Sequence, residues 1–192
     1  AVGSTVEAYN TQFSNTLMDC ASFLGGKTTL THCTFAQFYP FDGNRGAALR
    51  ISNHLGDKEY ALQSFDIVNS LITGYADDVV MVDKRDNMMA NYQFDHCILR
   101  TDKPKDIALL AHFTDVIWEN TKDYPAGGEK QFVMVDADKQ RFNFHLLKLK
   151  DGKKSAAVDA GKILNDTRFA KDHDGKPRDG KPDIGCYELM SN

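Results

Sequence analysis

The sequence predicts an all-β fold, a parallel β-solenoid of about four coils. A short pattern recurs along the chain: a polar turn-forming residue, a small residue, any residue and a bulky apolar residue. Its copies begin at Asn10, His32, Asn69 and His96. Motifs that recur at intervals of a few tens of residues are typical of solenoid proteins, in which each repeat packs on the next.

Columns of like residues accompany this pattern. An apolar residue precedes each bend, a small residue follows it, and a bulky apolar residue comes shortly afterwards. Asparagine suits the bend because it tolerates left-handed backbone geometry and bonds to its own backbone. We therefore expect three stacked columns of inward side chains: Ala8, Leu30, Ile67 and Phe94; Thr11, Cys33, Ser70 and Cys97; Phe13, Phe35, Ile72 and Leu99.

Turn residues and apolar runs predict the other elements. Gly25-Gly26 ends a short strand that starts near Met18, and the polar stretch 53–60 is expected to bulge from its coil as an insertion. The continuous apolar run 79–82 predicts a strand that is buried on both faces. Strand–bend–strand units are expected at 4–15, 28–38, 65–75 and 92–100, with a further apolar strand at 47–52.

The pattern changes after Asp102. Mixed apolar spacing at 107–120 predicts a short helix or an irregular strand, and 123–129 is expected to be a loop. Alternation at 142–146 predicts a strand, and the tail from residue 151 should be mostly loop. We expect one continuous domain, with β-helix coils at 1–105 and the last coil and closing segment at 106–192.

The composition argues against some classes of function. An apolar fraction of 42% supports a packed core, and the net charge of −4 comes with 23 scattered basic residues, so a nucleic-acid partner is not expected. No apolar run approaches the roughly 18 residues of a membrane-spanning helix. Cys33 and Cys97 are expected to be buried free thiols, because the coil that carries Ser70 holds them too far apart to bridge.

The tail carries a recognisable ending. The segments SAAVDAG at 155–161, DGKPR at 174–178 and DIGCYE at 183–188 follow one another. They resemble the C-terminal ending of right-handed parallel β-helix proteins of bacterial surfaces, found especially in Bacteroidetes; that ending usually has proline where Ala156 stands and alanine where Cys186 stands. The resemblance implies a right-handed parallel β-helix, an extracellular or outer-membrane-surface location, and a tail that closes the structure.

The tail residues have a structural interpretation. Asp159 is expected to hold a tight turn through side-chain-to-backbone bonds and Gly161 to take a positive φ. Arg178 and Asp183 could pair and tie the tail, including Gly185, onto the last coil. The alternative is a calcium site, because carboxylate oxygens suit that ion; its ligands would be Asp172, Asp174, Asp179 and Asp183.

The adjacent His–Cys pairs at 32–33 and 96–97 are not expected to chelate a metal. Neighbouring residues of a regular strand face opposite sides, so the two members of a pair cannot reach the same ion. Apart from the calcium alternative, the sequence predicts no metal site and no other cofactor.

A binding function is the first of three alternatives. An elongated face would hold a glycan or a surface protein through loop side chains, and the residues favoured for ligand contact are Tyr39, Tyr75, Asp77 and Asp78. Most aromatic residues of a folded domain belong to the core. The wider aromatic set near loops and strand ends adds Phe41, Tyr92, Trp118 and Tyr124.

The other two alternatives are a polysaccharide lyase or glycoside hydrolase, and a structural stalk or subunit of an outer-membrane assembly. A lyase needs a base with a cationic partner, and a hydrolase needs two carboxylates at a defined separation. Nothing in the sequence distinguishes the available acids from a solvated edge, so no residue is assigned as catalytic. These acids are Asp77, Asp78, Asp83 and Asp86, beside Lys84 and Arg85.

The first coil is expected to have a partner. The chain enters that coil within a few residues, and an open coil end is a template for strand pairing. We therefore expect that the 192 residues are the C-terminal part of a longer β-helix, or that a partner subunit covers the first coil.

Overall fold

The computed structural model describes residues 1–119, 127–149 and 152–189. Tyr124, most of the loop predicted at 123–129 and the first residue of the tail lie outside these ranges. Within them the protein is all-β with parallel sheets, as the sequence predicts at this coarse level. None of the helices in these ranges is both long enough and apolar enough to cross a membrane.

The chain follows a repeated route through short strands. Most passes begin with a longer strand, turn at a bend, and continue into a second and a third strand. In chain order the strands are β1 (Thr5–Tyr9), β2 (Gln12–Ser14), β3 (Ala21–Leu24), β4 (Gly26–Thr31), β5 (Thr34–Gln37), β6 (Leu49–Ser52), β7 (His54–Leu55), β8 (Lys58–Glu59), β9 (Leu62–Val68), β10 (Leu71–Gly74), β11 (Val80–Asp83), β12 (Ala90–Asp95), β13 (Ile98–Leu99), β14 (Phe113–Thr114), β15 (Ile117–Trp118), β16 (Phe132–Asp136) and β17 (Arg141–Leu146).

Three of the sheets are parallel and are visited in a fixed order. The first sheet has the strand order β1-β4-β9-β12-β14, the second β15-β13-β10-β5-β2 and the third β11-β6-β3. In the described ranges the first and second sheets therefore contain five strands each, whereas the third contains three. Between β13 and β14 the chain forms only the short helix α1 (Ile107–Leu110), and 3₁₀ helices lie at Gly127–Gln131 and Thr167–Phe169.

The strand register confirms two of the three predicted columns. In the first sheet Leu30 pairs with Ala8 on one side and Ile67 on the other, and Phe94 continues the row. In the second sheet Phe13, Phe35, Ile72 and Leu99 occupy paired positions in the same way. Each row has a fifth member that the sequence pattern did not reveal: Phe113 in the first sheet and Trp118 in the second.

The bends have the left-handed backbone conformation that their residue types favour. Asn10, His32, Asn69 and His96 all have φ between 49° and 51°, and Asp115 makes a fifth bend with φ 48°. Asparagine, aspartate and histidine are enriched in this region because their short polar side chains bond locally. The five bends lie between the first and second sheets and fix the turn from one to the other.

Small residues after the bends fill the interior. Cys33, Ser70 and Cys97 are fully buried, and both cysteines are free thiols. Burial raises the pKa of Cys33 to about 11 and that of Cys97 to about 12, so the thiols stay protonated near neutral pH. They therefore act as small apolar fillers rather than as nucleophiles.

The third sheet differs from the prediction. The run 79–82 was expected to be buried on both faces, but β11 alternates, and Met81 is 38% exposed. The reason is that only one face of this sheet covers the core; the other face meets solvent. The predicted insertion at 53–60 is confirmed as the antiparallel hairpin of β7 and β8.

A second core covers the outer face of the second sheet. Strands β16 and β17 form an antiparallel pair, which confirms the strand expected at 142–146. Their rings pack on Phe38, whose centroid lies 5.8 Å from that of Phe132 and 5.9 Å from that of Phe144. This packing explains why every residue of β5 and β10 is buried.

The tail crosses the bends and is held by buried polar groups, although not by the pair that was predicted. Arg178 bonds to Glu188 at 2.9 Å, whereas the carboxylate of Asp183 accepts the backbone N–H groups of Asp159 and Leu189. The expected pairing of Arg178 with Asp183 is therefore wrong, because the folded path of the tail places the guanidinium against Glu188, the Asn10 side chain and the backbone oxygen of Gly185.

The backbone conformations of two turn residues in the tail also differ from the prediction. Asp159 itself takes the positive φ, 60°, and Gly161 does not. Gly161 is required by space instead, since a Cβ there would lie 2.6 Å from the backbone oxygen of Pro182. Gly185 is required for both reasons: its φ is +105°, and a Cβ there would lie 2.8 Å from Thr34 Oγ1.

Candidate ligand-binding pocket

An apolar pocket opens where the third sheet stops. The first and second sheets continue for two strands beyond the last pass that includes a strand of the third sheet, and no strand among the described residues covers that side of the core. The resulting pocket has a volume of about 230 Å³. It is lined by Val80, Val82, Lys84, Tyr92, Thr101, Asp102, Pro104, Leu109, Phe113 and Trp118.

Packing holds the aromatic rings of this pocket in place. The Phe113 ring lies edge-on to Trp118 at 5.0 Å and is stacked on Phe94 at 5.2 Å. The Tyr92 ring is stacked on His112 with centroids 3.9 Å apart. Rings that are fixed before a ligand arrives lose little conformational freedom on binding, which favours affinity.

Some of the residues that line the pocket carry polar groups. Neither the Tyr92 hydroxyl nor the Trp118 indole nitrogen bonds to another residue in the described part of the chain. Burial raises the pKa of Tyr92, so its hydroxyl stays protonated and can donate. Lys84 is paired with Asp86, which raises the pKa of the lysine and keeps it charged. An apolar floor with a few polar groups is the usual composition of a small-molecule site.

The comparisons with known proteins do not identify the pocket. No family model, no curated protein and no solved structure matches this chain. The chemistry of the site therefore has to be argued from its residues.

The four residues favoured from sequence lie elsewhere, at the end of the second sheet. Tyr39 and Tyr75 follow the neighbouring strands β5 and β10, and the Tyr75 backbone N–H bonds to Gln37. Tyr75 packs edge-on against Phe38 at 4.9 Å, with the Arg45 guanidinium 5.3 Å from its ring centre. Tyr39 packs edge-on against Phe41. Both rings therefore pack against neighbouring side chains. Ligand contact by Tyr39 and Tyr75 stays a prediction.

Asp77 and Asp78 come directly after this aromatic group. Asp77 lies 3.5 Å from the buried guanidinium of Arg100, and its own side chain is 69% exposed. Asp78 accepts a long bond from the backbone N–H of Val80 at the start of β11. The Asp77 carboxylate therefore lies beside a buried cation, and the Asp78 carboxylate accepts a backbone hydrogen bond at the start of a strand.

The acids considered for catalysis are well solvated. The Asp83 side chain is 51% exposed beside His54, and that of Asp86 is 91% exposed beside Lys84. The Lys84 ammonium lowers the pKa of Asp86. A general acid of a glycosidase needs a raised pKa, which burial in an apolar site provides. The surroundings of Asp86 lower its pKa and so do not suit it to act as a general acid.

One cluster in the described ranges places metal-ligand atoms close together. Possible donor atoms of Asp95, His96 and Asp115 lie within 4.8 Å of one another at the bends. However, Asp95 is already bonded to His96 Nδ1 at 2.6 Å and to the Lys162 ammonium at 2.7 Å. These contacts make an ion network that attaches the tail to the bends. For the calcium alternative, Asp172 accepts the backbone N–H groups of Asp174 and Lys176 in its own loop, and Asp183 accepts that of Asp159 from a distant part of the tail.

A buried polar network lies beside the second core and gave no signal in the sequence. The Glu119 side chain is fully buried and accepts bonds from Thr73 and, at 2.9 Å, from Gln131. Gln131 in turn accepts from Ser155. Burial raises the pKa of Glu119. The network connects the second sheet, a 3₁₀ helix and the tail, and its satisfied bonds indicate a structural role.

His32 should make stability depend on pH. Its ring is 1% exposed, and burial, assisted by the charge of Arg178, lowers its pKa to about 3 from the usual 6.5. Between these values the unfolded chain binds a proton that the folded chain does not, so stability falls as the pH falls from about 6.5 towards 3. The slope contributed by this one proton reaches about 1.4 kcal/mol per pH unit.

The measurement is urea unfolding from pH 7 to pH 4.5, on the wild type and on His32→Asn. Asparagine occupies two other bends, at positions 10 and 69, so the variant keeps a suitable bend residue. Asp183, whose pKa burial raises to about 6, acts with the opposite sign in both proteins and cancels in the difference. Equal pH slopes for the two proteins would contradict the prediction.

Proposed function

We propose that this chain is a right-handed parallel β-helix of an exported bacterial surface protein, and that it binds a glycan without cleaving it. The parallel strand order and the repeated route through three sheets support the β-helix. A connection between neighbouring parallel strands of one sheet is right-handed in almost all proteins, which supports the hand. The surface location rests on the resemblance of the tail segments.

The pocket at Trp118 is the observation that carries glycan binding. A sugar ring presents an apolar face of C–H groups and an edge of hydroxyls. The pocket offers fixed rings of Tyr92, Phe113 and Trp118 for the apolar face. The Tyr92 hydroxyl, the Trp118 indole N–H and the carboxylate of Asp102 are available at the same pocket for the hydroxyls.

The test is a glycan array on the wild-type protein and on Trp118→Ala. We expect binding to a restricted set of glycans and at least tenfold weaker binding by the variant, since losing one buried aromatic contact costs about 1.5–3 kcal/mol. Tyr9→Ala is the matched control, because that residue is 44% exposed and lies outside the pocket.

The same experiment separates the pocket from the four residues predicted from sequence. Tyr75→Ala should leave binding within about twofold of wild type if the Trp118 pocket is the site, a change of under about 0.5 kcal/mol. Loss of binding in Tyr75→Ala with retention in Trp118→Ala would assign the glycan to the end of the second sheet instead. Cleavage of the bound glycan would contradict the non-catalytic part of the proposal.

A further inference from the structure

The lining of the Trp118 pocket combines two kinds of apolar side chain. The first and second sheets contribute aromatic rings, those of Tyr92, Phe113 and Trp118. The third sheet contributes Val80 and Val82. A group that binds in this pocket therefore meets flat rings from two sheets and branched aliphatic side chains from the third.

The two valines are held by the core. Strand β11 pairs with β6, which places Val80 beside Leu49 and Val82 beside Ile51. Both partners are buried, and the valines are half-buried against the same core, whereas Met81 between them is exposed. The valines thus continue the inward-facing rows of the third sheet. Since strand pairing fixes them, their place in the lining does not have to be created by a ligand.

The connection between β13 and β14 adds to the aliphatic lining. It contributes Pro104 and Leu109, the second of which belongs to helix α1. The remaining lining residues, Lys84, Thr101 and Asp102, are polar. Carbon therefore makes up most of the surface that a ligand meets, and the groups that can bond to a hydroxyl are few.

The size of the pocket suits one sugar unit. Its volume of about 230 Å³ is below the roughly 300 Å³ at which pockets for drug-sized ligands begin. The selectivity of the pocket therefore depends on the substituents of a single ring. A hydroxyl placed against valine, proline or leucine side chains loses its bonds to water without gaining a partner, which weakens binding. A methyl group in the same position gains from its burial.

We propose that this unit is a 6-deoxy sugar. Such a sugar carries a methyl group where the parent hexose carries a hydroxymethyl group, so it lacks one hydroxyl and keeps the others. The methyl group packs against the aliphatic lining, the C–H face of the ring packs on the aromatic side chains, and ring hydroxyls bond to Lys84, Thr101 or Asp102. This inference rests on the proposed function, since it specifies the sugar that the glycan-binding pocket selects.

The test is a titration of the full chain with pairs of methyl glycosides that differ only at carbon 6, followed by the emission of Trp118. The pairs are those of L-fucose and L-galactose, L-rhamnose and L-mannose, D-fucose and D-galactose, and D-quinovose and D-glucose. We expect at least one pair to bind, and its deoxy member to bind at least tenfold more tightly, a difference of about 1.4 kcal/mol.

The outcomes separate this inference from the proposed function. Equal binding of the two members of each pair that binds, or tighter binding of the hydroxylated member, would overturn the 6-deoxy assignment and leave glycan binding in place. The same holds if none of the pairs changes the emission and a glycan without a deoxy sugar does so. If no glycan changes the emission or binds by calorimetry, the proposed function fails and this inference fails with it.

Two variants test the aliphatic lining. Val82→Thr replaces a methyl group by a hydroxyl at nearly constant shape, and Leu109→Gln makes the lining polar at a position that is 36% exposed. Each should lower the ratio of the affinities for the deoxy and hydroxylated members at least threefold, and circular dichroism checks that each variant folds. Val133→Thr is the matched control, because Val133 lies in β16 outside the pocket and is 47% exposed. An unchanged ratio in both pocket variants, or an equal change in the control, would contradict this inference.

Discussion

Replacing Phe35 by alanine is expected to lower the free energy of unfolding by about 3–5 kcal/mol. The Phe35 side chain is fully buried, and its ring is stacked on Phe13 with centroids 4.8 Å apart and planes 6° from parallel. It also pairs with Ile72 on the next strand of the second sheet. Removing the ring leaves a cavity in the middle of a row, where rigid strands on both sides prevent collapse.

Urea unfolding of the two proteins measures this loss. Phe41→Ala is the control, since it removes the same number of atoms from a ring that is 64% exposed, and should cost less than about 1 kcal/mol. A loss below about 1 kcal/mol for Phe35→Ala would contradict its place in the stacked row.

Glu188→Ala is expected to destabilise the protein by a similar amount, about 3–5 kcal/mol, because it leaves the buried cation of Arg178 without its partner. The Glu188 side chain is 2% exposed. Besides Arg178 it accepts the backbone N–H groups of Asp179 and Asp183, so the substitution also removes acceptors from two buried or partly buried donors. Burial raises the pKa of Glu188 and lowers that of Arg178, because desolvation disfavours both charged forms, and the contact between the two groups opposes these changes.

An exposed ion pair of the tail supplies the control. Glu7 contacts Arg168, and the side chains are 53% and 50% exposed. Such pairs contribute about 0–1 kcal/mol, so Glu7→Ala should have little effect on thermal unfolding. Similar losses from Glu7→Ala and Glu188→Ala would show that the tail is not anchored by the buried pair.

The rows of the first and second sheets could be predicted because local sequence determines them. A left-handed bend selects asparagine or histidine, and the inward positions on either side of it select apolar residues. The fifth bend was missed for one reason: Val116 follows Asp115 where the other copies have threonine, cysteine or serine. Phe113 and Trp118 stand at the spacing that the pattern requires, so a search that allowed valine would have found it.

The tail contacts could not be predicted to the same extent. The sequence offers Asp172, Asp174, Asp179, Asp183 and Glu188 as partners for Arg178, and only the folded path of the tail decides among them. In the folded tail the guanidinium contacts Glu188, whereas Asp183 faces the backbone N–H groups of Asp159 and Leu189. Such backbone contacts depend on three-dimensional turns that residue types alone do not specify.

The pocket was not predicted because it lies beyond β11, where the described residues add no further strand to the third sheet. Trp118 and Phe113 continue the core rows, and with a full third sheet they would be covered. No recurring motif marks the strands of the third sheet. The sequence pattern therefore does not show where that sheet ends. Tyr92 and Trp118 belonged to the wider aromatic set, but the sequence provided no reason to prefer them to Tyr39 and Tyr75.

The fluorescence of Trp118 provides the most direct measurement of glycan binding at the pocket. It is the only tryptophan among the 192 residues, so its emission reports on this site alone. We expect a saturable change in emission on titration with a glycan that is positive on the array, with a midpoint equal to the affinity measured independently by calorimetry. A glycan that binds by calorimetry and leaves the emission of Trp118 unchanged would contradict the assignment of the pocket, and the absence of any binding glycan would contradict the proposed function itself.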